Sequence, residues 1–315
     1  MQIVGRSDLS RRVLASRDFK AFALADIYRD LSVRFGHDFS PAVDIIERLP
    51  TFVSGESHKR LRASMARANA QRSPAQLAAV AEYLHAFQHR LSSGRVEMDL
   101  LADFALPIFR AIGTASLGPR DDAGAIVALA EQIPHLFSTF TSLRQRLEIN
   151  EDIRSLMAKF GDEFLDDFAL LVLGARPLPG ALALSLHAIF RENCGTRTGE
   201  ISWPDHFTHS PLPYADRVSL RPVSIDGEAF EPDQRVRCPV QSPGWTPAEN
   251  RSLMFGTGSH LCLGRGLSER IWAMVVDMFV AADCLAEAGE LEMSMTSEPF
   301  DFPVKVGVTF EMSPA

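Results

Sequence analysis

Cysteine is scarce in this chain. It has four in 315 residues, Cys194, Cys238, Cys262 and Cys284, and no two form a C-x-x-C pair or a dense cluster. That spacing fits reduced thiols better than a disulfide framework and leaves at most one cysteine needing a special role. An excess of basic charge is also missing. The formal net charge is −8, whereas binding to a phosphate backbone relies on clustered Lys and Arg, so no nucleic acid is expected as a partner. No stretch approaches the roughly 20 apolar residues that span a bilayer; the nearest, Phe168–Ala175, ends at Arg176, and no membrane anchor is expected. The first twenty residues carry Arg6, Asp8, Arg11, Arg12, Arg17 and Asp18 without an apolar core, which is unlike a secretory signal and leads to the expectation of a cytoplasmic protein. No Ser/Gly/Pro-rich linker divides the chain, so a single domain over residues 1–315 is expected.

What is present is ordinary for a globular protein: 46% hydrophobic and 23% charged residues, enough to bury a large core. Over 57–196 apolar residues recur at three- and four-residue spacing, which predicts helix as the main content. Ser73-Pro74 reads as the start of a helix over Ala75–Leu91, Met98–Leu117 as a second run interrupted by Pro107, and Ala123–Leu143 and Glu148–Gly174 as two more. Over 201–258 the texture changes to strand and coil, with ten prolines or glycines before Gly256. Helical pattern returns at Leu263–Leu285, and alternation of Val304, Val306, Val308 and Phe310 predicts a strand within 300–312.

The chemistry is concentrated at 255–264. Phe255-Gly256-Thr257-Gly258-Ser259-His260-Leu261-Cys262-Leu263-Gly264 matches F-G-x-G-x-H-x-C-x-G at all six fixed positions. Glycines allow a tight turn, and a cysteine just before a helix start has its thiolate steadied by the helix amides. The segment resembles the cysteine-ligand loop of the cytochrome P-450 superfamily. That resemblance implies a mainly α fold with small β-sheets, shortened here, and a heme b whose iron is the metal ligated by Cys262. It further implies that His260 bonds a heme propionate, that Phe255 packs beside the sulfur, and that Gly256 and Gly264 shape the loop.

Other segments carry the same likeness. His58 and Arg62, four apart and so on one helical face, resemble the H-x-x-x-R that meets the propionates. Asp103-Phe104-Ala105-Leu106-Pro107 with Ile112 and Leu117-Gly118 resembles a helix of bacterial soluble members. Arg217, before Val218-Ser219-Leu220 and the turn Ile225-Asp226-Gly227, resembles the arginine that opens a strand and binds a propionate.

The chain also departs from the family. Where a central helix should carry an acid–alcohol pair that relays protons for dioxygen chemistry, Arg176 and Pro177 stand. Arginine is no proton donor near neutral pH and proline has neither hydroxyl nor amide hydrogen. The Arg176-Pro177 pair resembles instead the fatty-acid peroxygenase branch, in which the arginine holds a substrate carboxylate that assists hydrogen peroxide cleavage. The family's E-x-x-R pair is absent, with Pro204-Asp205-His206-Phe207-Thr208-His209 in its place. The chain also looks shortened at its N-terminus, before the central helix, and between Pro213 and Phe255, which implies an open pocket or closure by a partner chain.

The resemblance therefore implies a heme-thiolate oxidoreductase, monooxygenase or peroxygenase, acting on a small or medium organic substrate, with a carboxylate as the class Arg176 would hold. Two alternatives stay open: a degenerate heme-binding recruiting module, and a non-oxidative heme enzyme such as a dehydratase or isomerase. Lys59, Arg60, Arg251, Arg265 and Arg270 would form a basic patch suited to an acidic ferredoxin with its reductase.

Overall fold

In this computed structural model, which describes residues 1–92, 94–294 and 300–312, the chain opens with β1 (Gln2–Ile3), α1 (Ser7–Ala15), β2 (Phe19–Ala21), α2 (Leu24–Phe35), α3 (Ser40–Glu47) and the long α4 (Gly55–Leu91). β3 (Arg95–Asp99), α5 (Leu106–Leu117), α6 (Ala123–Gln132), α7 (Leu143–Phe160), α8 (Phe164–Gly174) and α9 (Pro177–Glu192) follow. Then come β4 (Tyr214–Ser219), β5 (Val223–Ile225), β6 (Glu228–Phe230), β7 (Arg235–Pro239), α10 (Pro247–Leu253), α11 (Arg265–Ala282), β8 (Leu285–Met293) and β9 (Pro303–Glu311). Helix dominates and the sheets are small, as the resemblance implied.

A four-stranded sheet runs β1-β7-β4-β2, with β1 parallel to β7 and the other pairs antiparallel. A second sheet runs β3-β9-β8, and β5-β6 form a hairpin. The hairpin turn places Asp226 and Gly227 at φ 54° and 86°, the positive-φ pair that Asp-Gly turns favour. One core joins α4, α5, α9 and α11 to β8 and β9 around Phe104, Phe190, Trp272, Phe279 and Phe310. A second joins α2, α3, α6, α7 and α8 around Tyr28, Phe39 and Phe168. A third seals α1 onto the four-stranded sheet.

Several sequence expectations are corrected. Pro74 does not start a helix: α4 runs unbroken from Gly55, and Pro74 lies inside it. The carbonyl four residues earlier belongs to exposed Ala70, so water can satisfy it, while Ser73 Oγ donates to the Asn69 carbonyl at 2.7 Å. Met98 sits in β3, not in a helix, and Leu100–Ala105 is wound as a π-type turn capped by Asp99, which accepts from the amides of Leu101 and Ala102 at 2.8 and 3.3 Å. The run Ala123–Leu143 ends α6 at Gln132 and continues as a tight turn over Ile133–Phe137, and the run Glu148–Gly174 is interrupted by Gly161 at φ 76°. The helical stretches Leu100–Leu117 and Phe164–Glu192 are long and apolar enough to cross a membrane by length and composition, contrary to the expectation that none approaches it. The second is broken between α8 and α9, and 61% of its apolar window is buried against the rest of the fold.

Candidate heme-thiolate site

The cysteine loop is assembled from local rules. α10 starts with a reciprocal cap: the Glu249 amide donates to Thr246 Oγ1 at 3.3 Å, the Thr246 amide donates to Glu249 Oε2 at 2.8 Å, and Ser7 Oγ adds a bond to Glu249 at 2.5 Å. The chain then turns at Gly256 and Gly258, with φ of 70° and 65°, a conformation side chains disfavour. At Gly258 a Cβ would also lie 2.9 Å from Ala15 Cα, so glycine lets α1 press on the loop. The Cys262 amide donates to the Phe255 carbonyl at 2.8 Å and closes the loop. Gly264 is the N-cap of α11. The backbone amides of Gly264 and Arg265 and the charge of Arg62 hold the Cys262 thiol pKa down, but burial outweighs them and pushes it up. As a residue, Cys262 is nonetheless exposed.

Four cation-capable side chains cluster around the contact between His58 and His260, and one of them, Arg62, is within reach of the Cys262 sulfur. The His58 and His260 rings stack with centroids 4.0 Å apart and planes 35° off parallel. Arg62, one turn along α4 from His58, is near enough for the charge of Cys262 to act on it. Arg217 is buried at 5% exposure, with only the Asp216 carbonyl accepting from it, at 3.0 Å. It lies fourth in β4 and pairs with Val236 and Ala21, so it does not open its strand as the resemblance had implied. Burial is the largest influence on all four and disfavours their charged forms; the two arginines then lower the histidines further, His260 to about 3 even though the Pro50 backbone acts to raise it. Among the described residues neither Arg62 nor Arg217 has a carboxylate ion-pair partner, and the buried His58 Nε2 has no hydrogen bond. Buried cations without an anion are costly. The set is shaped for anionic oxygens not supplied by the chain.

The remaining predicted residue, Arg176, lies at the break between α8 and α9, where Pro177 takes the first position of α9. Its Nη2 is 3.0 Å from His135 Nε2, and its guanidinium carbon is 4.3 Å from the centroid of the Phe302 ring. Burial lowers its pKa; Glu131 opposes that but is held by two bonds from Arg110 at 2.8 and 2.9 Å. Leu173 and Leu263 pack against one core, and Leu178 and Phe255 against the other. Gly180 holds α9 close to the chain at Pro211, where a Cβ would approach Pro211 Cβ to 2.7 Å.

Two features were missed in the sequence. His135, 41 residues from Arg176, is a lone histidine with no local pattern around it. Where E-x-x-R is absent, Arg251 of α10 reaches back to Asp205 and His206, a pairing hidden by its long sequence separation. Of the five basic residues expected to form a patch, Lys59 pairs with Glu56, Arg265 with Glu269 and Arg251 with Asp205, which neutralises much of it.

No family model matches the chain. No curated protein matches it either. Solved structures do. P450BioI in complex with an acyl carrier protein ligated to hexadec-9Z-enoic acid is 15% identical, with a TM-score of 0.75 over 98% of this chain and 91% of that one. CYP109B1 from Bacillus subtilis is 16% identical, with a TM-score of 0.64 over 98% and 93%. OxyB from teicoplanin biosynthesis, solved with the X-domain, is 17% identical, with a TM-score of 0.65 over 97% and 91%. The chain has the cytochrome P450 fold.

Proposed function

We propose that this chain, built on the cytochrome P450 fold, is a heme-thiolate oxidoreductase acting on an organic carboxylic acid. The observation that carries the proposal is the cluster of Arg62, Arg217, His58 and His260, in which neither arginine has a carboxylate ion-pair partner among the described residues and Arg62 is within reach of Cys262. The donor set fits an iron protoporphyrin: two arginines and two imidazole N–H groups match two propionates, and one sulfur with amide support matches an axial thiolate. When bound, the heme supplies an electron-rich iron centre that favours O–O cleavage and oxidation of the substrate.

The protein's own residues then have separate tasks. The backbone amides of Gly264 and Arg265 temper the basicity of the sulfur. His58, Arg62, Arg217 and His260 fix the orientation of the group through its acids. Arg176 holds the substrate carboxylate as a two-pronged partner, and that carboxylate takes the place of the missing acid–alcohol pair. P450BioI and OxyB were solved with protein partners, so a carrier-tethered acyl group is the competing substrate form. Arg176 favours the free acid, because a thioester would leave a half-buried guanidinium unpaired.

Turnover tests this reading. Decanoate should be oxidised with hydrogen peroxide faster than decanol, and Arg176→Ala should remove the preference. Turnover driven equally well for both by a ferredoxin and its reductase would return the site to ordinary monooxygenation. The second reading, a heme-binding module without oxidation, rests on the helix break at Ala175–Arg176, where no acid–alcohol pair stands; heme binding with no turnover under either regime would favour it.

A further inference from the structure

We propose that His135 is the second arm of the anion site at the α8–α9 break. In the ligand-free protein it accepts a hydrogen bond from Arg176, and when a carboxylate binds it takes up one proton and donates to that carboxylate. This deepens, and rests on, the reading of Arg176 as the carboxylate-binding residue.

A guanidinium has only donors, so with Arg176 Nη2 at 3.0 Å from His135 Nε2 the imidazole nitrogen must be the acceptor. His135 is then neutral, with its proton on Nδ1. A protonated His135 would set two cations in contact in a half-buried place, and Arg176 accordingly lowers its pKa after burial, which is the larger cause. Among the described residues no acidic group acts on His135. Glu131 on α6 is the acidic group acting on Arg176 and is engaged by Arg110. Arg146 of α7 is spent on the carbonyls of Leu136 and Ser138 and on Tyr28. From the chain before β9, Phe302 presents a ring to Arg176, and its neighbour Asp301 is exposed.

The backbone around His135 is held in place. Thr141 Oγ1 donates to the His135 carbonyl at 2.6 Å, and Tyr28 Oη donates to the Leu136 carbonyl at 2.7 Å. An arriving carboxylate therefore meets a fixed imidazole and a guanidinium already poised by stacking on Phe302. One carboxylate oxygen can replace His135 as the acceptor for Arg176. The other then needs a donor, and His135 becomes one by protonating at Nε2. The balance is simple: one anion and one proton enter together, and no covalent bond changes.

The sign of the pH dependence follows. His135 has a lowered pKa in the free protein and a raised one in the complex, so proton uptake accompanies binding between those two values. Carboxylate affinity rises as pH falls through that window, by at most about tenfold per pH unit for one linked proton, and levels off once the free protein is itself protonated. A neutral ligand has no such dependence.

Calorimetric titration of the heme-loaded full chain with decanoate, in two buffers of unlike ionisation heat, measures the protons taken up. Dissociation constants between about pH 6 and 8, where decanoate stays ionised, measure the slope. The expected result is fractional to full uptake of one proton and tighter binding at the lower pH in the wild-type protein. In His135→Gln, which keeps an acceptor for Arg176 but cannot protonate, decanoate should still bind without uptake or slope; His135→Asn serves if the first variant does not fold. Decanol should show neither effect. Wild-type binding with no proton uptake, or uptake that persists in the variants, overturns the role of His135 while leaving Arg176 standing. Decanoate binding no tighter than decanol, and unchanged in Arg176→Gln, overturns both.

Discussion

His58 of α4 and His260 of the cysteine loop stack at 4.0 Å, so side chains from two distant segments form one surface. With both rings disfavoured as cations by burial and by Arg62 and Arg217, the positive charge of this surface resides on the two arginines. A dianionic ligand would neutralise it and supply an acceptor for the unbonded His58 Nε2.

Removing one of those arginines should separate binding from stability. Arg217→Ala is expected to weaken heme affinity by roughly 10–100-fold, the equivalent of a charge-assisted hydrogen bond of about 1.5–3 kcal/mol. The heme-free protein should melt at the same temperature or higher, since a buried cation with no ion pair is removed. A lower melting temperature with unchanged heme affinity would make Arg217 a structural strut. Heme titration and heme-free melts read the two effects.

Glycine in α9 makes a paired prediction. Gly180→Ala forces a Cβ to 2.7 Å from Pro211 and should destabilise by about 1–3 kcal/mol through overpacking. Gly174→Ala meets only the edge of Phe109 at 3.5 Å and should be neutral or stabilising by up to about 1 kcal/mol from helix propensity. Denaturant unfolding of the two variants should give opposite signs; equal losses would contradict the close approach of α9 to Pro211.

Tyr28 shares the alkaline limit with Tyr83 and Cys238, whose pKa values burial also pushes up to about 12. The Tyr28 hydroxyl is buried, donates to Leu136 and has its pKa pushed up to about 12 by burial. A phenol held neutral in the fold contributes stability that is present below its ordinary pKa of about 10 and lost as pH rises toward 12. Unfolding free energy should therefore fall over that interval, and Tyr28→Phe should flatten the fall while losing about 1 kcal/mol at neutral pH. An identical alkaline profile in the variant would assign the limit to other groups.

Asp205 and Arg251 occupy the place of the missing E-x-x-R, but both are exposed. Arg251→Ala should cost less than about 1 kcal/mol, and Thr246→Ala, which breaks the cap of α10, about 1 kcal/mol. If thermal melts show Arg251→Ala to be the more damaging, the pair is a true replacement for the family's ion bridge.

The cysteine loop was legible because its requirements are local: two positive-φ glycines, one thiol and a helix start lie within ten residues. The His58–Arg62 spacing was legible for the same reason, as a single turn of helix. Arg217 was found only through resemblance, and its position within β4 depends on pairing with β7 and β2. α4 was misread at Ser73-Pro74 because a proline that usually begins a helix is tolerated inside one when the orphaned carbonyl faces water. The helix break at Arg176 was visible as Arg-Pro, but its contact with His135 was not, since a side chain from a distant turn reaches it only after the two cores have packed. Arg251 with Asp205 escaped for that reason too.

The central expectation is that Cys262 serves as an axial thiolate. The measurement is the absorption spectrum of the heme-loaded protein, reduced and exposed to carbon monoxide. A red-shifted Soret band, lost in Cys262→Ala, is the predicted result. A Soret band at the unshifted position of imidazole-ligated heme, or a red-shifted band that survives in Cys262→Ala, would contradict it.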